Sequence, residues 1–210
     1  MSVVLDPMRC TYDDDGRPRP VLAWTLPAGT VAIASAVLGG GIGSCGWIVN
    51  AQVGIDYGDD DPGAHVAAIA HHLRLGSGRG VGLLTAASVL DVAVADDHGA
   101  ECAATVGVST PTWAADADGT WSPWTPGTIN LVCWVPAPLS EAAMVNAVMT
   151  ATEAKAQALT EAGVPGTGTA SDAVAVCCPT GGAEPYGGPR SVWGARLARA
   201  VHTSVTAGIK

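Results

Sequence analysis

Basic residues are scarce in this chain. Lys and Arg together number 10 among 210 residues, against 19 Asp and Glu, and the formal net charge is −9. Nucleic-acid binding needs a basic surface, so we expect no nucleic-acid partner. A neutral or cationic small ligand remains compatible with this charge.

Long hydrophobic runs are missing too. A membrane-spanning helix is indicated by roughly 18 or more apolar residues in succession, and every apolar run here is interrupted earlier by Gly or polar groups. Residues 1–15 lack the basic start and apolar run of a secretory signal. We therefore expect a cytoplasmic protein without membrane association.

Several motifs that would assign a chemistry are absent. The six cysteines form no CxxC pair and have no His at ligand spacing, which argues against a zinc site and favours buried free thiols. The serine-hydrolase elbow GxSxG and the phosphate loop GxxxxGK[ST] do not occur.

The residues that are present predict a globular α+β protein. The chain is 48% hydrophobic and only 14% charged, so we expect one domain over residues 1–210. The pattern gives the order β-β-β-α-β-β-β-β-α-β-α, with residues 1–20 as a surface turn and a hairpin turn at 27–29. This order is typical of mixed α/β layers, with a largely antiparallel sheet packed by about three helices.

The chain is organised around residues 127–178. A strand over 128–135 is followed by a helix that begins after the N-cap Ser140 and ends at Gly163. The loop of residues 166–172 (GTGTASD) then leads into the strand AVAVCC. Loops of this kind, at strand ends on a rigid scaffold, commonly carry function.

Three other features leave alternatives open. The cluster Gly39, Gly40 and Gly41 is either a tight turn or a place where a ligand approaches the backbone. Asn50, inside a predicted strand, either faces solvent or binds a specific partner. Three tryptophans share the Gly- and Pro-rich segment 109–126, where they either fold back on the core or face a large flat ligand; they are Trp113, Trp121 and Trp124.

The chain resembles one family, the adenosylcobinamide amidohydrolases of corrinoid salvage. The resemblance covers nearly the whole chain and lies in seven segments: SAVLGGG at 35–41, WIVNAQV at 47–53, GVGLLTAA at 80–87, ATVGVSTPTWAA at 104–115, PGTINLVCWVPAPLSEAAMVNAVMTATEAKAQAL at 126–159, AGVPGTGTASDAVAVCCP at 162–179 and YGGPRSVWGARLARAVH at 186–202. Ser171 departs from the Thr expected before Asp172, and either residue supplies a hydroxyl.

The resemblance implies the reaction. It is hydrolysis of the amide that joins the corrin f-propionate to its aminopropanol arm, releasing adenosylcobyric acid for cobamide salvage. The implied partner is a corrinoid small molecule. No cofactor is implied, because cobalt enters only with the substrate. The oligomeric state stays open, with a homodimer as one option.

Amide hydrolysis needs an attacking oxygen, proton transfer and stabilisation of the oxyanion. We expect the hydroxyl of Thr167 or Thr169, the carboxylate of Asp172 or Glu153, and Lys155 as a base if it is desolvated. Asn130, or the main-chain amides of Gly166 and Gly168, would hold the oxyanion. The substrate-binding candidates are Ser35, Gly39, Gly40, Gly41, Asn50, Trp113, Trp121, Trp124 and Arg190.

Two other hypotheses remain. A corrinoid-binding protein without hydrolytic activity would keep the tryptophan segment and tolerate loss of Thr169 or Glu153. A metal-dependent hydrolase would use the acids Glu153 and Asp172, and a chelator would inhibit it.

Overall fold

The structure, a computed structural model, describes residues 4–116 and 127–210. Trp121 and Trp124 therefore lie outside the described residues. The strands are β1 (Met8–Asp14), β2 (Arg17–Thr25), β3 (Thr30–Ala34), β4 (Gly41–Ser44), β5 (Trp47–Gln52), β6 (Val81–Thr85), β7 (Ala93–Asp97), β8 (Ala100–Gly107), β9 (Thr128–Trp134) and β10 (Ala173–Pro179). The helices are α1 (Pro62–His72), α2 (Glu141–Glu161) and α3 (Val192–Gly208), with a 3₁₀ turn at Val89–Asp91.

The described strands form two sheets. The first has the order β1-β2-β5-β6 and the second the order β4-β3-β10-β9-β8-β7. The pairs β5–β6 and β9–β10 are parallel, and the other neighbours are antiparallel. The predicted α+β class and the largely antiparallel pairing are confirmed, although the strands divide into two sheets.

The sheets and helices stack in four layers around three apolar cores. Helix α1 covers the outer face of the first sheet, where Val66 and Ile69 pack on Val49. Residues such as Trp24 and Val132 fill the space between the sheets. Helices α2 and α3 cover the outer face of the second sheet. Each parallel pair is linked by one helix, α1 between β5 and β6 and α2 between β9 and β10, as parallel strands require.

Two local predictions were wrong. Residues 8–25 form the antiparallel hairpin β1–β2, and only its tip at Asp15 and Gly16, both with positive φ, is the predicted surface turn. Pro18 and Pro20 fit in β2 because this half of the strand pairs only with β1, leaving its other edge free. The segment 27–29 is not a hairpin turn, since β2 belongs to the first sheet and β3 to the second.

The predicted free thiols are confirmed. All six cysteines are unpaired by disulfides and five are buried. Hydrogen bonds to neighbouring thiols, followed by burial, raise the pKa of Cys133 and Cys177 well above the ordinary value. These cysteines therefore behave as core residues.

Candidate active site

A cavity of about 400 Å³ opens where the two sheets meet. Strands β5 and β6 end at it, β9 and β10 begin at it, and β3 ends beside it, so its walls come from both sheets. We call it the main cavity. Its lining residues are Ser35, Val37, Val53, Gly54, Tyr57, Pro62, Leu83, Leu84, Thr85, Ala86, Thr128, Ser171, Asp172 and Ala173.

The loop 166–172 is fastened to the chain at Thr112. The Thr112 amide donates to the Gly168 carbonyl at 2.8 Å, and the Thr167 amide donates to the Thr112 carbonyl at 2.9 Å. The Thr167 hydroxyl accepts from the Ala114 amide at 3.1 Å. Thr167 is outside the set of residues that line the main cavity, and its hydroxyl holds the loop in place at Ala114. Its role as nucleophile stays a prediction.

Asp172 is the acceptor at the centre of this loop. Its Oδ1 accepts from the Ile129 amide at 2.9 Å and from the Thr169 hydroxyl. Its Oδ2 accepts from the Thr169 amide at 3.1 Å and from the Lys155 ammonium. Each carboxylate oxygen thus receives two hydrogen bonds, which fills its ordinary accepting capacity. Asp172 therefore links the loop 166–172, the start of β9 and helix α2, and its catalytic role stays a prediction.

Lys155 reaches Asp172 from helix α2. The side chains of the pair are only 7% and 11% exposed. Gly168 makes this approach possible, because a Cβ there would lie 2.3 Å from Asp172 Oδ2 and 2.6 Å from Lys155 Nζ. The loop 166–172 and helix α2 therefore meet at this ion pair.

Two hydroxyls beside this pair face the main cavity. Thr128 Oγ1 and Ser171 Oγ are 2.7 Å apart, and Ser171 Oγ is 3.2 Å from the Gly127 carbonyl. The Thr169 hydroxyl instead donates to the Gly127 carbonyl at 2.8 Å. Sequence reasoning missed Thr128 and treated Ser171 only as a departure from the family. The available signal was the position of Thr128 at the start of a strand facing the loop.

A buried amide network lies beneath the main cavity. Asn130 Nδ2 donates to Asn50 Oδ1 at 2.9 Å and to the Leu84 carbonyl at 3.0 Å, and Asn50 Nδ2 donates to Thr105 Oγ1 at 3.0 Å. Asn50 is therefore buried and specifically bonded. Both donors of Asn130 are occupied, and its Oδ1 has no hydrogen-bond partner; its oxyanion role stays a prediction.

Several predicted residues lie away from the main cavity. Glu153 is exposed on α2, while Lys155 is buried and bonded to Asp172; a catalytic role for Glu153 stays a prediction. Trp113 is 53% exposed and Arg190 lines a separate surface depression. Both stay predictions as substrate contacts.

The glycine cluster 39–41 lies against another part of the first sheet. A Cβ on Gly39 would lie 1.9 Å from the Gly80 carbonyl, and the Arg79 guanidinium donates to the Gly39 and Gly40 carbonyls. None of the three glycines lines the main cavity. Ser35, by contrast, does line it, and its hydroxyl accepts from the Val174 amide at 3.1 Å.

A second, polar cavity adjoins the main one. It has a volume of about 300 Å³ and shares Gly54 and Tyr57 with the main cavity. We call it the side cavity. Its other lining residues are Asp14, Asp15, Arg17, Arg19 and Asp56.

His65, on helix α1, contacts Tyr57. His71 and His72 are exposed on α1, whereas the side chain of His65 is only 17% exposed. His65 Nδ1 is 3.0 Å from the Tyr57 hydroxyl. Sequence reasoning had no signal for this contact, which joins the β5–α1 connection to helix α1.

Across 4–116 and 127–210, no group of three or more His, Cys, Asp or Glu side chains is placed to hold a metal ion. Within the same ranges, no helix is both long and apolar enough to cross a membrane.

Comparison with known proteins points to one family. The family model described as adenosylcobinamide amidohydrolase matches residues 7–210. Two curated proteins of that name are similar. The one from Methanosarcina mazei is 31% identical over 193 residues, covering 87% of this chain and 92% of that protein. The one from Halobacterium salinarum is 41% identical over 137 residues, covering 59% of this chain and 58% of that protein.

Proposed function

The chain belongs to the adenosylcobinamide amidohydrolase family, and on that premise we propose that it hydrolyses the amide between the corrin f-propionate and the aminopropanol arm of adenosylcobinamide. The products are adenosylcobyric acid and aminopropanol. The first of these can re-enter cobamide synthesis, which gives the reaction a salvage role. The observation that carries the proposal is the family match over residues 7–210.

The size of the main cavity supports a specific mode of binding. A volume of about 400 Å³ is at the lower end of the range for small-molecule sites, roughly 300–1,000 Å³. A corrin ring with its amide side chains and adenosyl group is too large for it. The amide arm therefore enters the cavity, while the ring remains outside at the mouth.

The hydroxyls at the cavity wall supply the polar contacts that the reaction needs. Thr128 and Ser171, 2.7 Å apart, position the attacking water at the carbonyl carbon of the arm. The Lys155–Asp172 ion pair fixes the loop that carries Ser171. Enzymes hold such groups in place before the reaction, so that the transition state is stabilised without reorganisation.

The test is incubation of the purified protein with adenosylcobinamide, followed by mass spectrometry. Formation of both adenosylcobyric acid and aminopropanol supports the proposal, and we expect it to persist after treatment with a chelator. Binding of the corrinoid without either product contradicts the proposal and supports a binding protein. Loss of turnover with chelator, restored by added metal, supports a metal-dependent hydrolase.

A further inference from the structure

Tyr57 stands at the wall between the main and side cavities, which both include it. It lies on the connection between β5 and α1 and is not part of the loop 166–172. No role in the reaction described above falls to it. From this position, the phenol of Tyr57 can contact a group that lies in the main cavity and then leaves through the side cavity.

His65 holds the hydroxyl of Tyr57 in position. Nδ1 of His65 is 3.0 Å from the hydroxyl, and the two rings stack with centroids 5.5 Å apart and an interplanar angle of 27°. The Tyr12 ring meets the His65 ring edge-on, with centroids 5.8 Å apart. The imidazole is thereby fixed, and it fixes the phenol.

The charges around Tyr57 favour its protonated form. Burial, followed by the carboxylates of Asp59, Asp14 and Asp61, raises the pKa of Tyr57 to about 12. The phenol is therefore a hydrogen donor throughout the neutral pH range. The groups that face it across the side cavity are Asp14, Asp15, Arg17, Arg19 and Asp56, and Asp59 Oδ2 is 3.9 Å from His65 Nδ1.

We propose that Tyr57 is the catalytic acid that protonates the departing amine, with His65 as its positioning residue. When the tetrahedral intermediate collapses, the carbon–nitrogen bond breaks and its electron pair stays on nitrogen. That nitrogen takes the phenolic proton, and the phenolate regains a proton from solvent or from His65. An amine needs this step because its anion is too basic to leave unaided.

The side cavity suits the product of this step. Its wall carries three carboxylates, Asp14, Asp15 and Asp56, against the two guanidinium groups of Arg17 and Arg19. The aminopropanol leaves as a cation at neutral pH and is attracted by the excess of carboxylates. The amine thus passes Tyr57 on its way from the main cavity to solvent.

This inference rests on the proposed function, and the test separates the two. Wild-type protein and Tyr57→Phe are compared on adenosylcobinamide and on an analogue in which a p-nitrophenyl ester replaces the amide arm, because p-nitrophenolate leaves without taking up a proton. The substitution removes one oxygen atom and leaves the ring in place. We expect kcat on adenosylcobinamide to fall about 100-fold, the usual scale of general acid catalysis, and kcat on the analogue to change less than about threefold.

The other outcomes overturn the role of Tyr57. Equal losses on both substrates show that Tyr57 is only structural, and unchanged kcat on both shows that it is not the acid. Absence of product from wild-type protein overturns the proposed function and this role together. His65→Ala should lower kcat about tenfold without changing KM, and His65→Asn should retain part of the lost activity. The control His71→Ala, on the exposed face of α1, should leave kcat unchanged. Equal effects of Ala and Asn at His65 contradict the positioning role.

Discussion

Lys155 and Asp172 form an ion pair between helix α2 and the loop 166–172, with side chains 7% and 11% exposed. The two residues are 17 positions apart in the chain. This contact closes the helix–loop–strand unit and places Ser171 at the main cavity. Its consequences for stability and turnover can be measured separately.

Replacing Lys155 with Met should destabilise the protein and abolish turnover. The substitution leaves the Asp172 carboxylate buried without its cation, which typically costs about 3–5 kcal/mol. Urea denaturation measures the loss in free energy of unfolding. The double variant Lys155→Met, Asp172→Leu should recover much of this stability but no activity. Full activity in the folded single variant would show that the ion pair has no part in forming the site.

Replacing Gly168 with Ala should distort the same contact. The added methyl group would meet Asp172 Oδ2 at 2.3 Å and Lys155 Nζ at 2.6 Å, and overpacking of this kind costs about 1–3 kcal/mol. We expect kcat to fall at least about tenfold, because the loop carrying Ser171 must shift. Gly76→Ala is the matched control, since nothing lies within 4 Å of its added Cβ. Equal behaviour of the two variants would contradict this account of Gly168.

Removing the Ser171 hydroxyl should lower turnover more than binding. If the Thr128–Ser171 pair positions water, Ser171→Ala loses a contact made in the transition state, and kcat should fall by about 10²-fold. Ser171→Thr keeps the hydroxyl and should retain most activity. Ser77→Ala, on an exposed loop, serves as the control. A Ser171→Ala variant with wild-type kcat would remove the hydroxyl pair from the mechanism.

Stability should decline at alkaline pH through Tyr12 and Tyr57. Burial, as the largest cause, raises the pKa of each phenol to about 12 in the folded protein, against about 10 in the unfolded chain. Above about pH 10 the unfolded state binds fewer protons, so the free energy of unfolding falls as pH rises toward 12. Tyr57→Phe should reduce this slope. A slope unchanged by the substitution would contradict the assignment of Tyr57.

The sequence predicted the central unit of the fold because its local signals are strong. Ser140 accepts from the Ala143 amide as an N-cap, and Gly163 ends α2 with a positive φ. The hairpin β7–β8 turns at His98 and Gly99, both with positive φ. Such features depend on neighbours in the chain and so are visible without the tertiary structure.

Local sequence patterns did not indicate that the strands divide into two sheets. After β2 the chain crosses from the first sheet to the second. This crossing depends on the packing of residues such as Trp24 and Ala32 between the sheets. The predictions of Lys155, Asp172, Thr169 and Ser35 all fell at or beside the main cavity. Tyr57 and Thr128 were missed because their roles depend on partners from other elements.

The central claim is hydrolysis of the corrinoid amide, and water enriched in the heavy oxygen isotope tests it most directly. Adenosylcobinamide is incubated with the protein in labelled water, and both products are analysed by mass spectrometry. We predict one heavy oxygen atom in the newly formed carboxylate of adenosylcobyric acid and none in aminopropanol. Label in the amino alcohol, or intact adenosylcobinamide after incubation with folded protein, would contradict the account.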